Sequence, residues 1–362
     1  MKIIEVIPHL QSGGGEKFTV DISNAFSELG NECTVITLYD NTEDDILKDQ
    51  LNKEVSVLSL GKKPGIDIKC MIRLRKLIAK QRPAVVHLNL NAITYAICAA
   101  LTYRKCKYIA TIHSEAKMEA GLGLNKYIRK LLFGLNLVSP ITISQESETS
   151  FKKFYGYGAK IITNGCSPYV CSSNIDEYSK YREGVDKLFI HAGRIHDVKN
   201  QEMLVKAFDK CISAGINIRL LIVGRIADNE IFDRIKPYLS DRIVYLGEKT
   251  DVKSIMYVCD AFCLSSKMEG MPMTIIEAMS VGCVPICTPV GGCINIINHG
   301  HNGMLSKDIG IESYTNAILE FFSKDANDIQ LMKNNCIKDY NTNYSISKTA
   351  ESYLKYIKDE KE

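Results

Sequence analysis

Arg194 and Lys199 stand in the segment HAGRIHDVKNQ, directly after an apolar run. A guanidinium fork and an ammonium group in one loop can converge on a single oxyanion. Such a pair stabilises a departing diphosphate without a metal ion. Charged side chains in loops are also commonly just solvated, so these two residues alone leave both interpretations open.

Two glutamates lie further on, in SSKMEGMPMTIIEAMSVGCVPICTPVGG. Glu269 follows the run AFCLSS, and Glu277 falls within TIIEAM, where a helix is expected to be running. Carboxylates at such places accept hydrogen bonds from vicinal hydroxyls, a common way to bind a sugar or a ribose. A purely solvent-facing Glu277 does not explain its apolar neighbours. The stretch between the glutamates brings N–H groups and one hydroxyl to a helix start that suits a phosphate. It consists of Gly270, Met271, Pro272, Met273 and Thr274.

A third candidate is the loop HLQSGGGEKF, where Gly13, Gly14 and Gly15 follow the first apolar run. Glycines let backbone N–H groups approach a ligand, and the helix start favours an anion. A nicotinamide-dinucleotide fingerprint needs a further glycine where the chain has Phe18, and the phosphate-loop pattern is absent. A plain tight turn stays open as an alternative.

His113, in the segment TIHSE, closes an apolar run, and a histidine there is as often structural as it is a ligand. Gly224 and Arg225 follow another apolar run, as do Gly247 and Glu248. Because these loops also follow predicted strands, they are expected to border a bound ligand.

The elements that must position these residues alternate between short β-branched runs and segments of helical period. The runs of the first half are KIIEVIP, CTVITLY, EVSVLSL, AVVHLNL and YIATIH, and those of the second are KLFIHA, IRLLIVG, RIVYLG, AFCLSS and VPICT. This alternation indicates right-handed βαβ units. The predicted fold is α/β, with two Rossmann-like doubly wound parallel sheets facing a cleft. Ligands bind beyond the carboxyl ends of such strands, where the candidate loops lie.

A chain of 362 residues is too long for one ordinary core. We predict a first domain at 1–165, a second domain at 166–343 and a terminal crossover helix at 344–362. The polar, aperiodic segment 164–184 is the predicted linker. The tail is expected to pack back on the first domain through apolar residues at helical spacing, namely Ile346, Ala350, Tyr353, Leu354 and Ile357.

Composition excludes several classes of protein. The 45 Lys and Arg against 42 Asp and Glu give a net charge of +3, too small to favour nucleic-acid binding. The 13 cysteines form no Cys-x-x-Cys and sit mostly in apolar runs, which predicts buried thiols in the cytosol. The chain begins with strand-like MKIIEVIP and has no long apolar span, so we expect it to be neither secreted nor membrane-spanning.

A metal site is conceivable by spacing from Cys283, Cys287, His299 and His301. The run VPICT looks like a buried strand, which disfavours that site. No Asp-x-Asp occurs, and we therefore predict no obligatory metal and no cofactor.

Taken together, the GGGEK loop, the GR and KN of the Arg194 segment, and the whole glutamate-containing segment resemble the nucleotide-sugar glycosyltransferases of family 4. The resemblance spans nearly the whole chain in the expected order and implies the GT-B fold. It implies that the domain at 1–165 lies on the acceptor side and that the domain at 166–343 binds the nucleotide-sugar donor. It implies that Arg194 and Lys199 bind the diphosphate, Glu269 the transferred sugar, and Glu277 the ribose. Residues 270–274 would line the phosphates and sugar.

In the first domain, the resemblance places Gly13 to Gly15 near the diphosphate and acceptor and His113 near the sugar, so that Arg194, Lys199, Glu269 and His113 form the predicted catalytic set. Two departures concern neighbouring loops. Cys293, Ile294 and Asn295 replace a frequent acidic residue, and Ser114 replaces another.

The resemblance also implies retaining transfer of a hexosyl or N-acetylhexosaminyl group from a nucleotide-sugar co-substrate, with UDP as the expected nucleotide. The nucleotide base would lie at the loops of Gly224, Arg225, Gly247 and Glu248, none of which distinguishes uracil from guanine. No carboxylate nucleophile of the retaining-glycosidase kind is evident. The family is usually described by front-face attack, in which the departing diphosphate helps to deprotonate the acceptor hydroxyl. The implied acceptor is a saccharide, lipid-linked in cell-surface polysaccharide assembly.

Lys69, Arg73, Lys76 and Lys80 share one face of a predicted helix. Such a face docks on anionic lipid, which places the protein in the cytoplasm at the inner face of the membrane. A solvated outer helix has the same pattern, so both interpretations stay open.

Three other functions fit parts of the pattern. A nucleotide-sugar epimerase on the same fold would convert the donor without an acceptor. A non-catalytic binding protein would have a degenerate site, which the four intact charged residues of the second domain argue against. A dehydrogenase is disfavoured by the glycine loop.

Overall fold

The computed structural model describes residues 1–11, 13–40, 42–113, 116–120, 123–170 and 175–359. Ser114, which stands where the resembled family frequently has an acidic residue, lies outside these ranges. The last residues of the predicted tail lie outside them as well. The chain divides into two compact units, Met1–Ser167 with Ile346–Glu362, and Pro168–Ser345.

Unit 1 is built on a parallel sheet of seven strands in the order β3-β2-β1-β4-β5-β6-β7. The strands are β1 (Lys2–Ile7), β2 (Glu32–Thr37), β3 (Ser56–Ser59), β4 (Val85–Asn89), β5 (Lys107–Ile112), β6 (Ser139–Thr142) and β7 (Lys160–Ile161). Strand β1 pairs with both β2 and β4, so the strand order reverses there. A reversal of this kind opens a crevice at the carboxyl ends of β1 and β4.

Helices cover both faces of this sheet, which explains why its strands are continuous apolar runs. They are α1 (Gly14–Glu28), α2 (Ile68–Gln81), α3 (Ala92–Tyr95), α4 (Ile97–Thr102), α5 (Ala116–Ala120), α6 (Leu124–Gly134) and α7 (Gln145–Tyr155), with a 3₁₀ turn at Ile46–Gln50. Ile4 and Val6 of β1 face the cluster that contains α2, α4, α6 and α7. Ile3 faces the other cluster, with α1.

Unit 2 has six parallel strands in the order β10-β9-β8-β11-β12-β13. They are β8 (Lys187–Ala192), β9 (Ile218–Val223), β10 (Ile243–Tyr245), β11 (Ala261–Leu264), β12 (Val284–Cys287) and β13 (Met304–Leu305). The order reverses between β8 and β11, again at a ligand-binding crevice.

The helices of unit 2 lie before, between and after its strands in the sequence. They are α8 (Ile175–Ser179), α9 (Gln201–Ser213), α10 (Asn229–Ile235), α11 (Val252–Val258), α12 (Met273–Ser280), α13 (Cys293–Ile296), α14 (Ile311–Ser323) and α15 (Ala326–Asp339). Short 3₁₀ turns occupy Lys180–Arg182, Asp197–Lys199 and Lys236–Tyr238, and a π turn spans Tyr340–Tyr344.

The tail forms α16 (Ile346–Asp359), which packs in unit 1 beside α1. Ile346, Ala350, Tyr353 and Ile357 are buried in the shared cluster, and Leu354 is partly buried against it. The predicted packing of the terminal helix on the first domain is therefore confirmed. Each buried aliphatic side chain of this kind contributes about 1.5–3 kcal/mol.

The ten predicted strands and the two parallel sheets are confirmed. Three short strands were not predicted, namely β6 and the edge strands β7 and β13. Strand β6 contains Pro140, and β7 and β13 have two residues each, too few for a pattern. The segment 164–184 was predicted to be irregular along its whole length. That prediction is wrong, because α8 lies within the segment.

No helix in the described part of the chain has both the length and the apolar character needed to cross a bilayer.

Candidate active site

Two loops of unit 2 meet at the carboxyl ends of β8 and β11. Lys199 ends the 3₁₀ turn after β8, and its Nζ lies 2.7 Å from Oε1 of Glu269, in the loop after β11. Ser266 donates its Oγ–H to the same oxygen at 2.5 Å. The Glu269 side chain is only 10% exposed, so this carboxylate is held in place by a cation and a hydroxyl together.

The same loops are joined by further bonds that do not involve Glu269. Lys267 donates from its backbone N to the carbonyl of Val198 at 2.8 Å, and its Nζ lies 2.6 Å from Oδ1 of Asp197. Ser265 donates to the carbonyl of Lys199 at 2.8 Å. Their relative position is thus fixed independently of the Lys199–Glu269 pair.

Arg194 has an exposed side chain, and its backbone is anchored by Gln201. Nε2 of Gln201 donates to the carbonyl of Arg194 at 2.8 Å and to Nε2 of His191 at 3.1 Å. His191 donates from Nδ1 to the carbonyl of Cys263 at 2.9 Å. Burial lowers the pKa of His191 to about 4, so the ring is neutral and can take both roles.

Sequence reasoning missed Gln201 and His191, both fully buried. The one signal was a histidine within the apolar run KLFIHA, since a buried polar residue in a strand needs a partner.

The loop after β9 lies beside the loop after β8. Ile195 donates its backbone N–H to the carbonyl of Arg225 at 2.9 Å. Gly224 has a φ of +144°, and a Cβ there would overlap the carbonyl oxygen of Gly193. The close approach requires glycine, and it places the exposed Arg225 on the loop next to that of Arg194.

The loop after β12 packs against the loop of Glu269. The backbone N of Gly292 donates to the carbonyl of Gly270 at 2.8 Å. Gly291 has a φ of +46°, and a Cβ there would overlap the carbonyl oxygen of Glu269. The glycine pair therefore sets the position of the Glu269 backbone.

Glu277 lies in the second turn of α12, as predicted, and its side chain is half-buried. Met271, Met273 and Thr274 precede it at the helix start, and Pro272 is the N-cap residue. Pro272 has no N–H, so the N–H groups that this stretch offers come from its other residues.

In unit 1 the glycine loop approaches the end of β4. Gly13 caps α1, Gly14 begins it, and Gly15 is buried. A Cβ at Gly15 would come within 2.9 Å of Cδ2 of Leu90, a residue with a positive φ of 54°. A larger residue at position 15 would therefore displace the Leu90 side chain in the loop after β4.

His113 follows β5 and is half-buried. Its Nε2 lies 2.9 Å from Oδ1 of Asn89, and its backbone N donates to Oε2 of Glu119 at 2.7 Å. Phe18 of α1 packs edge-on against its ring at 5.2 Å. Burial, and to a lesser extent the nearby His87, lower the pKa of His113 to about 3.

The alternative metal site is not formed. Cys283 and Cys287 are buried at the start and end of β12, whereas His299 lies 3.4 Å from Glu320. Among the residues that the structure describes, no three His, Cys, Asp or Glu side chains are grouped to hold a metal ion. The binding roles assigned to the other candidates stay predictions.

Two family models match the chain in succession. "Glycosyltransferase Family 4" matches residues 12–168, and "Glycosyl transferases group 1" matches residues 176–339. The chain belongs to the family 4 type of glycosyltransferases. The matches correspond to the two halves that carry the glycine loop and the Lys199–Glu269 pair.

Two curated relatives support this glycosyltransferase assignment. The chain is 25% identical over 314 residues to N-acetyl-alpha-D-glucosaminyl L-malate synthase of Bacillus anthracis, covering 81% of this chain and 80% of the relative. It is 25% identical over 316 residues to UDP-Gal:alpha-D-GlcNAc-diphosphoundecaprenol alpha-1,3-galactosyltransferase of Escherichia coli, covering 80% of each. Neither relative supports the epimerase alternative.

The glycosyltransferase also resembles solved structures over nearly its full length. Anabaena HepE in complex with UDP superposes with a TM-score of 0.81 at 19% identity, covering 99% of this chain and 100% of that one. A glycosyltransferase from Rickettsia africae gives a TM-score of 0.82 at 18% identity, covering 99% and 98%. These likenesses show the GT-B fold.

Proposed function

We propose that this glycosyltransferase moves a hexosyl or N-acetylhexosaminyl group from a UDP-sugar to a lipid-linked saccharide, with retention of anomeric configuration, in cell-surface polysaccharide assembly. The observation that carries the proposal is the Lys199–Glu269 pair at the strand-order reversal of unit 2. UDP is favoured because HepE is solved with UDP and the E. coli relative is named for UDP-Gal.

The reaction needs a cation beside the departing diphosphate and a hydrogen-bond acceptor for a hydroxyl of the transferred sugar. The bond between the anomeric carbon and the diphosphate breaks, the acceptor oxygen bonds to the same carbon, and its proton passes to the departing diphosphate. Lys199 has three N–H donors, one of which is used on Glu269, so the others suit diphosphate oxygens. Oε2 of Glu269 suits a sugar hydroxyl, because Oε1 already accepts from Lys199 and Ser266.

Nucleotide binding is tested by thermal unfolding without any assumption about the acceptor. UDP at about 100 times its dissociation constant is expected to stabilise the binding unit by about 2.7 kcal/mol. The control is ADP at the same concentration, which should shift the midpoint less. Radiolabelled sugar must then pass from a UDP-sugar to an undecaprenol-linked saccharide. Conversion of the donor without an acceptor would contradict the proposal.

The proposed mechanism does not use a metal ion, since Lys199 and Arg194 neutralise the diphosphate. Chelator is therefore expected to leave the rate of sugar transfer unchanged within about two-fold. The assay compares initial rates with EDTA, with EDTA plus excess Mg²⁺, and untreated. A rate that falls with EDTA and returns with Mg²⁺ would contradict this mechanism.

The acceptor is proposed to be reached at an anionic membrane, because one layer of unit 1 is basic. Lys69, Arg73, Lys76 and Lys80 of α2 are all exposed. From Ile68 to His113 the sequence contains no Asp or Glu. Electrostatic attraction to anionic lipid is worth about 1 kcal/mol for each basic residue near the surface.

Apolar side chains are exposed in the same layer. On α2, Ile68 is 63% and Ile72 is 45% exposed. On α6, one stripe of exposed residues follows helical spacing and consists of Leu124, Tyr127, Leu131 and Leu135. Helices α2 and α6 pack in one core cluster on one face of the sheet, and basic and apolar groups together are typical of a membrane-surface helix.

Charge reversal tests the membrane contact. The double variant Lys69→Glu with Lys76→Glu is expected to lower binding to phosphatidylserine vesicles at least about ten-fold, measured by sedimentation. The matched control reverses two exposed lysines of unit 2, Lys236→Glu with Lys307→Glu. Wild-type binding that does not depend on anionic lipid, or an equal loss in the control, would contradict the membrane proposal.

A further inference from the structure

A chain of buried polar side chains crosses the centre of the unit 1 sheet. Glu5 on β1 accepts on both carboxylate oxygens, from Nδ1 of His87 at 2.9 Å and from Nδ2 of Asn89 at 2.9 Å. Asn89 in turn lies 2.9 Å from Nε2 of His113. Glu5, His87 and Asn89 are fully buried. A buried polar group without a hydrogen-bond partner destabilises the fold, so each of these groups requires a partner that matches it as donor or acceptor.

The carboxylate of Glu5 sets the direction of these bonds. Nδ2 of Asn89 donates to Oε2 of Glu5, so the amide turns its NH₂ toward that carboxylate. Its carbonyl oxygen Oδ1 then faces His113 and only accepts. Nε2 of His113 must therefore carry a proton and donate it to Asn89.

The ring of His113 is neutral at physiological pH, because its pKa lies near 3. A neutral imidazole has one protonated nitrogen, and with that proton on Nε2 the lone pair remains on Nδ1. His113 also stands at the carboxyl end of β5, beside the strand-order reversal where ligands bind.

We propose that Glu5 and Asn89 are positioning residues that hold His113 as the Nε2–H tautomer, so that Nδ1 offers a hydrogen-bond acceptor to a substrate hydroxyl. The identity of that hydroxyl rests on the proposed function, whereas the tautomer rests on the geometry of unit 1 alone. Neither Glu5 nor Asn89 touches the substrate in this proposal, since both act through His113.

The variant Glu5→Gln tests the direction of the chain. A glutamine side chain can donate as well as accept, so Asn89 is no longer forced to turn its NH₂ away from His113. We expect the Nδ1–H tautomer of His113 to become populated and kcat/KM to fall about ten-fold, the loss of about one hydrogen bond.

The matched control lies on the other arm of the same buried network. Tyr353 of α16 lies 2.6 Å from Oγ1 of Thr111, which lies 2.7 Å from Nε2 of His87. Tyr353→Phe removes a buried hydroxyl from the network and leaves Asn89 and His113 intact. We expect it to change thermal stability without changing the His113 tautomer or kcat/KM.

The tautomer is read by ¹⁵N NMR of the histidine rings in the full-length protein, with His113→Gln identifying the His113 signals among the seven histidines. The measurement on the wild-type protein does not depend on whether a variant folds. An Nδ1–H tautomer of His113 in the wild-type protein would overturn the proposal. An unchanged tautomer in Glu5→Gln, or a changed one with unchanged kcat/KM, would also overturn it. These spectra are recorded without a sugar donor or a sugar acceptor. A protein that shows the predicted tautomer but transfers no sugar therefore supports the tautomer assignment and contradicts only the proposed function.

Discussion

Lys199→Ala is expected to lower kcat about 10²–10³-fold, the loss typical of removing one group that stabilises charge in the transition state. The ammonium is proposed to neutralise the departing diphosphate, and Arg194 alone would remain. The expected signature is a fall in kcat measured with saturating UDP-sugar and acceptor, because the charge on the diphosphate grows as the bond breaks.

Lys267→Ala is the control for this experiment. Lys267 joins the same two loops as Lys199. Its ammonium group pairs with Asp197 at 2.6 Å, whereas that of Lys199 pairs with Glu269. Its side chain is 42% exposed, so its loss is expected to change kcat less than about three-fold. Equal losses in both variants would mean that Lys199 only supports the loops, and a normal kcat in Lys199→Ala would contradict its catalytic role.

The Lys199 variant also separates stability from catalysis. Glu269 would keep its bond from Ser266 but lose its cation, and a largely buried carboxylate without a counter-charge destabilises the fold. Adding Glu269→Gln to Lys199→Ala removes that unpaired charge. The double variant is therefore expected to unfold at a higher temperature than Lys199→Ala while remaining equally inactive.

The sequence predicted much of unit 2 because the patterns there are local. Lys199 and Glu269 each follow a clear apolar run, and parallel strands bring such loops to one edge of a sheet. Periodicity also predicted α16, whose buried residues recur at helical spacing. Edge strands were missed because two residues of β7 or β13 carry no period.

The polar network of unit 1 could not be predicted, for a different reason. Glu5, His87 and Thr111 are far apart in sequence and meet only because β1, β4 and β5 are neighbours in the sheet. The order of strands is not encoded in any one run. A charged or polar residue inside KIIEVIP and AVVHLNL signals that a buried partner exists, but it does not say which residue that partner is.

Gly291→Ala is expected to lower kcat/KM about 10²-fold, although the substituted residue carries no reacting group. A Cβ at this position would overlap the carbonyl oxygen of Glu269, so the Glu269 backbone must move away. Displacement of a catalytic group by about 1 Å is enough for a loss of this size. The measurement is kcat/KM for the UDP-sugar, together with the unfolding midpoint.

Gly300→Ala separates that displacement from backbone strain. Gly300 has a φ of +77°, so alanine is strained there as well, by about 1–2 kcal/mol, but no atom lies within 4 Å of the added Cβ. The control is therefore expected to lose stability and keep its kcat/KM. Suppose that Gly291→Ala loses as much stability as Gly300→Ala and keeps full activity. The loop of Glu269 then tolerates movement, and the Lys199–Glu269 geometry is not what positions the donor sugar. A selective loss of activity in Gly291→Ala would instead show that the glycine pair after β12 is part of the machinery that holds Glu269 in place.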